Sequence, residues 1–398
     1  MLRSTLGAAL LAGSLAMAPQ VFAQEANPQG CVETYDPAVD YFPQQVASNH
    51  SQQWEIAYHN NYKVLTVPNS ELPDEGDLTY VLVQCGTPAP DLTGDLEGAL
   101  VVEIPVDRAI VTSRNALAML DELDRVDTIV GMTGNFFTFA ETDAWYASIF
   151  ERAADPLNVA SESDIDFETA LALEADAIFM AGYGPGYEEV ATVRGRGLPS
   201  VMVSNRIEPT PLGSAEWLKF MAAFYNLEEA ANAVFNTIET DYTAIASAVA
   251  GRLTEDYEAA YACLGDEGGC GFMYAHGGSS LNGQILDLMG VSNPFADGND
   301  RPNGMGFDYE NALGRTQDTD FFIIYYIGSP AALESDPRYQ NIPALAAGNY
   351  IISTIDNYNE CNAVTYVRVD RLVRDYAIGM FPEMFPDEQG TCFRAPEN

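Results

Sequence analysis

Residues 227–251 carry the pattern that most restricts how this chain can fold. Apolar side chains recur at Leu227, Ala231, Val234, Phe235, Ile238, Tyr242, Ile245 and Val249. Steps of three and four residues line one face of an α-helix. Asn226 offers a starting cap and Gly251 a stop. At ~1.5 Å per residue the rod measures roughly 35 Å, about the width of a small domain. Strand-like and helix-like runs alternate on both sides of it, so it reads as a strut between two α/β lobes. The competing reading is one long core helix of a single domain.

The chain opens with Arg3, an apolar run over 6–18 and Val21-Phe22-Ala23 ahead of Gln24. That layout is a secretory signal peptide, too short to span a bilayer. Cys31 lies several residues beyond the cleavage position, so a lipid anchor there is not expected. No later segment reads as a transmembrane helix. The expectation is an exported protein, periplasmic or otherwise secreted, soluble once the signal is removed. The roughly 375 residues that follow the signal exceed one ordinary hydrophobic core, which favours two domains. Acidic residues number 58 against 18 basic ones, a net charge of −40. A surface so negative repels phosphate backbones and anionic lipid, which argues against nucleic-acid partners and membrane insertion.

Six cysteines in an exported chain suggest disulfides. Cys263 and Cys270 enclose a short glycine-rich loop and pair by proximity. Cys361 with Cys392 and Cys31 with Cys85 would complete the set, although fifteen pairings are possible and spacing does not choose among them.

Residues 24–99 read as an extension with a β-hairpin formed by 62–67 and 78–84. From residue 99 the pattern becomes alternating strands and helices. Strands are expected at 100–104, 109–112, 128–131, 177–181 and 200–204, with helices at 115–124, 141–152, 167–174 and 187–195. Short apolar strands separated by helices imply a parallel sheet covered on both faces. Beyond the rod, strands are expected at 259–264, 271–274, 321–326 and 350–353, and helices at 280–289, 309–315, 331–334 and 365–380. One pattern occurs in both halves. Asp166-Phe167-Glu168-Thr169-Ala170-Leu171 is matched by Asp308-Tyr309-Glu310-Asn311-Ala312-Leu313, and in each half a further Asp and an apolar strand follow. Each leading Asp suits an N-cap and each Glu falls where it opposes the helix dipole.

Taken in order, these segments resemble the periplasmic substrate-binding proteins of ABC importers for iron–siderophore, haem or cobalamin. The residues that carry the likeness are 104–111, 129–132, 166–180, 197–201, 307–324 and Asp336-Pro337-Arg338-Tyr339-Gln340-Asn341-Ile342-Pro343-Ala344. Ala175 departs from the family, which usually has Pro before the Asp. The resemblance implies two doubly wound α/β lobes joined by one long α-helix, with the ligand cleft between them. Boundaries follow as 1–23 for the signal, 24–99 for the extension, 100–225 and 253–398 for the lobes, and 226–252 for the connecting helix. By the same resemblance, Glu168 and Glu310 dock on an ABC permease and its ATPase, two separated carboxylates meeting two basic pockets. A monomer is expected.

Open α/β sheets bind ligands beyond the carboxyl ends of their strands. That rule places Arg114, Asn115, Asn135, Phe136, Tyr183, Tyr187 and Arg206 of the first lobe at the cleft. Tyr274, His276 and Tyr326 follow from the second, together with Arg301 on an irregular Gly/Pro-rich stretch. Aromatic rings with a few guanidinium groups suit a bulky anionic ligand such as a ferric chelate. With only three histidines, a resident metal is not expected, nor is a cofactor. An exported enzyme is the rival class; the chain lacks Gly-x-Ser-x-Gly and His-Glu-x-x-His, but a glycosidase carboxylate pair could hide among the acids. A third class is a ligand sensor without a permease.

Overall fold

The computed structural model describes residues 26–161, 164–187, 189–265, 269–297, 304–325, 330–353 and 358–396. Signal residues 1–23 and the candidates Arg301 and Tyr326 lie outside them. The extension folds into four strands, β1 (Glu55–Tyr58), β2 (Tyr62–Val67), β3 (Leu78–Gln84) and β4 (Leu100–Ile104), adjacent in that order. The expected hairpin is β2–β3. Residues 100–104 do not open the first lobe's sheet, as the sequence suggested, but run parallel to β3. Their alternating burial explains this: Val102 and Ile104 are buried while Val101 and Glu103 face water, a half-covered edge strand. An inner parallel strand is apolar throughout.

That description fits β5 (Ala109–Val111), which is fully buried. It is followed by α1 (Arg114–Glu122), β6 (Ile129–Thr133), α2 (Gly134–Ala140), α3 (Ala144–Arg152), β7 (Leu157–Ser161), β8 (Asp164–Ile165), α4 (Phe167–Ala172), β9 (Ala177–Ala181), α5 (Glu189–Gly195) and β10 (Ser200–Val203). Their sheet has the order β10-β9-β5-β6-β7-β8 and is parallel except for the β7–β8 pair. The chain leaves β5 in one direction and returns on its other side at β9, which makes the β5/β9 junction the switch point. Next comes α6 (Pro211–Ala223), where no helix was expected. Every residue of it but Leu212 is buried, so it has no polar face and no 3.6-residue stripe to detect.

The strut is α7 (Glu228–Ala250). Ala231 joins the first lobe's core, whereas Phe235, Ile238, Tyr242, Ile245 and Val249 join a second core. One helix therefore bridges two cores. Asn226 does not cap it as expected. It turns the corner from α6 with φ +56°, and its side chain accepts from Lys63 Nζ (2.8 Å) and donates to Gln84 Oε1 (2.7 Å).

Beyond the strut come β11 (Ala259–Leu264), β12 (Met273–Ala275), α8 (Leu281–Leu288), β13 (Met305–Phe307), α9 (Tyr309–Arg315), β14 (Phe321–Ile324), α10 (Pro330–Ser335), α11 (Pro343–Ala346), β15 (Tyr350–Ser353), α12 (Tyr358–Val364), α13 (Val369–Met380) and β16 (Phe393–Arg394). The sheet order is β13-β12-β11-β14-β15-β16. Its centre, β11-β14-β15, is parallel and its outer pairs are antiparallel. The helix expected over 365–380 is α13, which begins only at Val369. The preceding α12, which was not expected, ends at Val364, and the stretch around the gap is rich in β-branched residues (Val364, Thr365, Val367, Val369) that disfavour helix. Disulfides join Cys31 to Cys85, Cys263 to Cys270 and Cys361 to Cys392.

The extension is fused to the first core, which contains its Phe42, Trp54, Leu65 and Tyr80. Buried charges stitch it to the strut region. Lys63, with no exposed side chain, bonds Ala223 O at 2.7 Å and pairs with the equally buried Glu228. Glu216 Oε2 accepts the backbone N–H groups of Asn49, His50 and Ser51 at 2.7–2.9 Å. Among the described residues no helix is long and apolar enough to cross a membrane.

Candidate functional site

A cavity of about 250 Å³ lies between one face of the second sheet, α8, α12, α13 and the first lobe's Arg206. Strand register decides which side chains reach it. Tyr261 pairs with Ile323, Ile323 with Ile351, Ser353 with Phe393, and Cys263 with Tyr274. Side chains alternate across a strand, so Tyr261, Tyr274, Ser353 and Phe393 share one face. Tyr325, two residues after Ile323, falls on that face as well. The rings of Tyr261 and Tyr325 stack 4.8 Å apart, and His276 meets both edge-on.

His276 Nε2 lies 3.1 Å from the Tyr325 hydroxyl. Burial holds its imidazole down at about 4, so it is neutral near pH 7. Burial likewise pushes the Tyr261 and Tyr325 phenols well up, which keeps them protonated. The remaining wall comes from Asn282, whose Oδ1 accepts from Tyr376 at 2.6 Å, and from Tyr358, Asn362 and Tyr366.

Arg206 supplies the charge. It sits in the turn after β10, 4.4 Å from the Tyr366 ring centroid, and donates through Nη2 to Asn362 Oδ1 at 3.0 Å. Among the described residues, no Asp, Glu or Lys lines the cavity, in a chain with 58 acidic residues.

One wall, α12, belongs to the second half by sequence but packs on the first lobe. Asp143 caps α3 through Oδ1 and accepts the Glu360 N–H through Oδ2 at 3.0 Å. Asn115 donates to Ala363 O at 2.8 Å. Ala363 and Val364 enter the first core, while Cys361 is tied to Cys392 beside β16. This helix therefore fills the space against the first lobe's switch point.

Of the residues expected at the cleft, Arg206, Tyr274 and His276 line the cavity. Asn115 spends its amide on α12. Arg114 lies 5.5 Å from the Phe139 ring, outside the cavity lining. Phe136 is buried in the first core against Tyr146, and Asn135 is exposed on α2. Tyr183 and Tyr187 are exposed on the loop after β9, with Tyr183 hydrogen-bonded to Arg206. Glu168 and Glu310 are exposed in the first turns of α4 and α9. Tyr261, Tyr358 and Tyr366 were missed. Tyr261 offered a signal, being the one bulky polar residue in Ala259-Ala-Tyr-Ala-Cys-Leu; Tyr366 offered none, because its place depends on where α12 ends.

No family model matches the chain. An uncharacterized lipoprotein of Methanocaldococcus jannaschii is 22% identical over 298 residues, which are 72% of this chain and 67% of that protein. The petrobactin-binding protein YclQ of Bacillus subtilis superposes with a TM-score of 0.53 at 15% identity, over 69% of this chain and 92% of that one. A periplasmic haem-binding protein of Pseudomonas aeruginosa does so with a TM-score of 0.55 at 12% identity, over 74% and 99%. A quarter or more of this chain thus has no counterpart in either structure. Two α/β lobes, a bridging helix and these likenesses together identify the fold as that of the two-lobed periplasmic substrate-binding proteins.

Proposed function

We propose that this protein is an exported receptor that captures a ferric siderophore between its lobes and delivers it to an ABC permease. The observation that carries this reading is the cavity wall: among the described residues it has one guanidinium set among tyrosine rings, and no carboxylate. Such a wall favours an anionic ligand with flat or apolar surfaces, and the surrounding acidic surface would otherwise repel it. The names of the similar structures, a petrobactin binder and a haem binder, support a chelate as the ligand. A receptor without turnover is favoured over a glycosidase because the described lining residues include no carboxylate pair. Export is supported by the signal-like first residues and by the lipoprotein relative; the Cys31 sulphur is engaged with Cys85.

Titrating the protein with ferrichrome, ferric enterobactin, haemin and cobalamin, followed by tryptophan fluorescence, tests the ligand. The reading expects saturable binding of a ferric siderophore. Preference for haemin or cobalamin transfers the site to that ligand, and silence with all four removes the chelate reading.

For docking, the reading uses Glu168 and Glu310. Asp166 accepts the Glu168 N–H at 3.1 Å and Asp308 the Asn311 N–H at 2.9 Å, so each Glu stands on a capped, rigid first turn. Charge reversal at both (E168K with E310K) is expected to abolish uptake in cells while leaving chelate affinity within about twofold, since exposed charges far from a site change binding little. Undiminished uptake would dispose of the assignment.

A further inference from the structure

The extension reaches α5 and β10 of the first lobe, next to the loop that precedes α5. Between β2 and β3 it carries Glu71, only 1% exposed. Its Oε2 accepts the backbone N–H groups of Val190 (3.1 Å) and Ala191 (3.4 Å) in the first turn of α5. Donors at a helix start have no partner within the helix, so a carboxylate from elsewhere in the chain fixes that end. The neighbouring Ser70 hydroxyl donates to Met202 Sδ at 3.4 Å, and the Tyr80 hydroxyl accepts the Met202 N–H at 2.9 Å. The extension thereby covers β10, the outer strand of the first lobe's sheet.

Loop 182–187 lies directly against this contact. A Cβ on Gly182 would stand 2.5 Å from Ser204 Oγ and 2.6 Å from Met202 Cγ, and one on Gly184 would stand 3.9 Å from Ser70 O. Gly184 and Gly186 take φ values of +114° and +95°, where the backbone has little stiffness of its own. The loop's shape is therefore set by what it leans on. It carries Tyr183 and Tyr187, 44% and 57% exposed, with ring centroids 5.4 Å apart. Neither ring serves the core, and the Tyr183 hydroxyl meets Arg206 at the cavity.

The geometry points to Glu71 as a positioning residue for ligand recognition: from the extension it fixes the start of α5, and so holds the Tyr183–Tyr187 pair at the cavity mouth beside Arg206. What the two rings then contact rests on the receptor reading; the ordering of the loop does not. The extension is in this view part of the recognition apparatus, and residues distant in sequence from every cleft loop set the affinity.

Hydrogen–deuterium exchange on the full-length protein tests the ordering, using E71A and E71Q. In E71A, amides over 182–195 exchange about fivefold faster, the loss expected for a missing cap, whereas β9 and β11 are unchanged. E71Q, whose amide oxygen still accepts an N–H, stays within about twofold of wild type. Exchange over 182–195 that is the same in E71A and wild type overturns the proposal, whatever the protein binds. Affinity for ferrichrome and ferric enterobactin, measured in the same variants, separates positioning from mere structural support. E71A weakens binding about fivefold when Tyr183 and Tyr187 are present, and has no effect in a Y183A/Y187A background. Equal losses in both backgrounds overturn the positioning role. If wild type binds neither chelate while E71A still loosens 182–195, the chelate reading falls and the positioning of the loop is upheld.

Discussion

Arg206 and His276 both line the cavity, yet they answer to pH differently. Arg206 stays charged throughout the accessible range. His276 is held down at about 4 by burial, against ~6.5 in an unfolded chain. Between those values the unfolded chain takes up a proton that the folded one refuses. The stability this group contributes is whole above about 6.5 and is lost as pH falls toward 4. Asp375 runs the other way. Burial pushes its carboxyl up to about 6 despite N–H donors from Thr391, Cys392 and Phe393. Its contribution is whole below ~3.9 and is lost as pH rises through 6. The two slopes oppose each other between pH 4 and 6. Replacing His276 with Asn is expected to leave unfolding free energy that falls as pH rises through this window, by up to ~3 kcal/mol. Asp375→Asn should reverse the slope. Urea denaturation at stepped pH checks both, and slopes matching wild type in either variant would contradict the assignment. At this scale the sequence marked Arg206, Tyr274 and His276, because residues just past strand ends can be read from strand positions alone. It hinted at Tyr261 by its hydroxyl in an otherwise apolar strand but could not say which way it faces, which depends on the register with β14, nor show that Asn115 is spent on α12.

Elements explain why the extension was harder to read than the strut. The strut has one polar and one apolar face, so its periodicity survives in the sequence. In α6 apolar residues surround the axis and periodicity vanishes, although Thr210 caps it and Pro211 occupies its first turn. Residues 100–104 were recognisable as a strand but not as a member of the extension's sheet, because partner choice lies in long-range packing. The charges that bind the extension were legible only as composition. Lys63 bonds Ala223 O and Asn226 Oδ1 and pairs with Glu228, all without exposure to water. Removing one member of such a pair strands the other, so Lys63→Met is expected to cost ~3–5 kcal/mol. Adding Glu228→Gln should recover part of that loss. Denaturant midpoints with unchanged slopes measure both, and a single-variant loss below about 1 kcal/mol would show the network to be dispensable.

The whole molecule is two lobes bridged by one amphipathic helix, with a third sheet riveted to the first lobe's core and α12 crossing back from the second half. Alternation of strands and helices made the two lobes readable. The return of α12 was not, since the contacts of Asn115, Asp143 and Arg206 with it connect residues more than a hundred positions apart on either side of the strut. In the receptor proposed above, a ferric chelate lodges in the cavity these parts enclose, whose described lining carries no carboxylate. Crystals grown with a ferric siderophore, with diffraction collected at the iron absorption edge, test it most directly. An anomalous peak is expected between Arg206 and the stacked Tyr261–Tyr325 rings, lost in Arg206→Ala crystals grown the same way. Iron ordered elsewhere on the molecule, or a peak indifferent to Arg206, would contradict it.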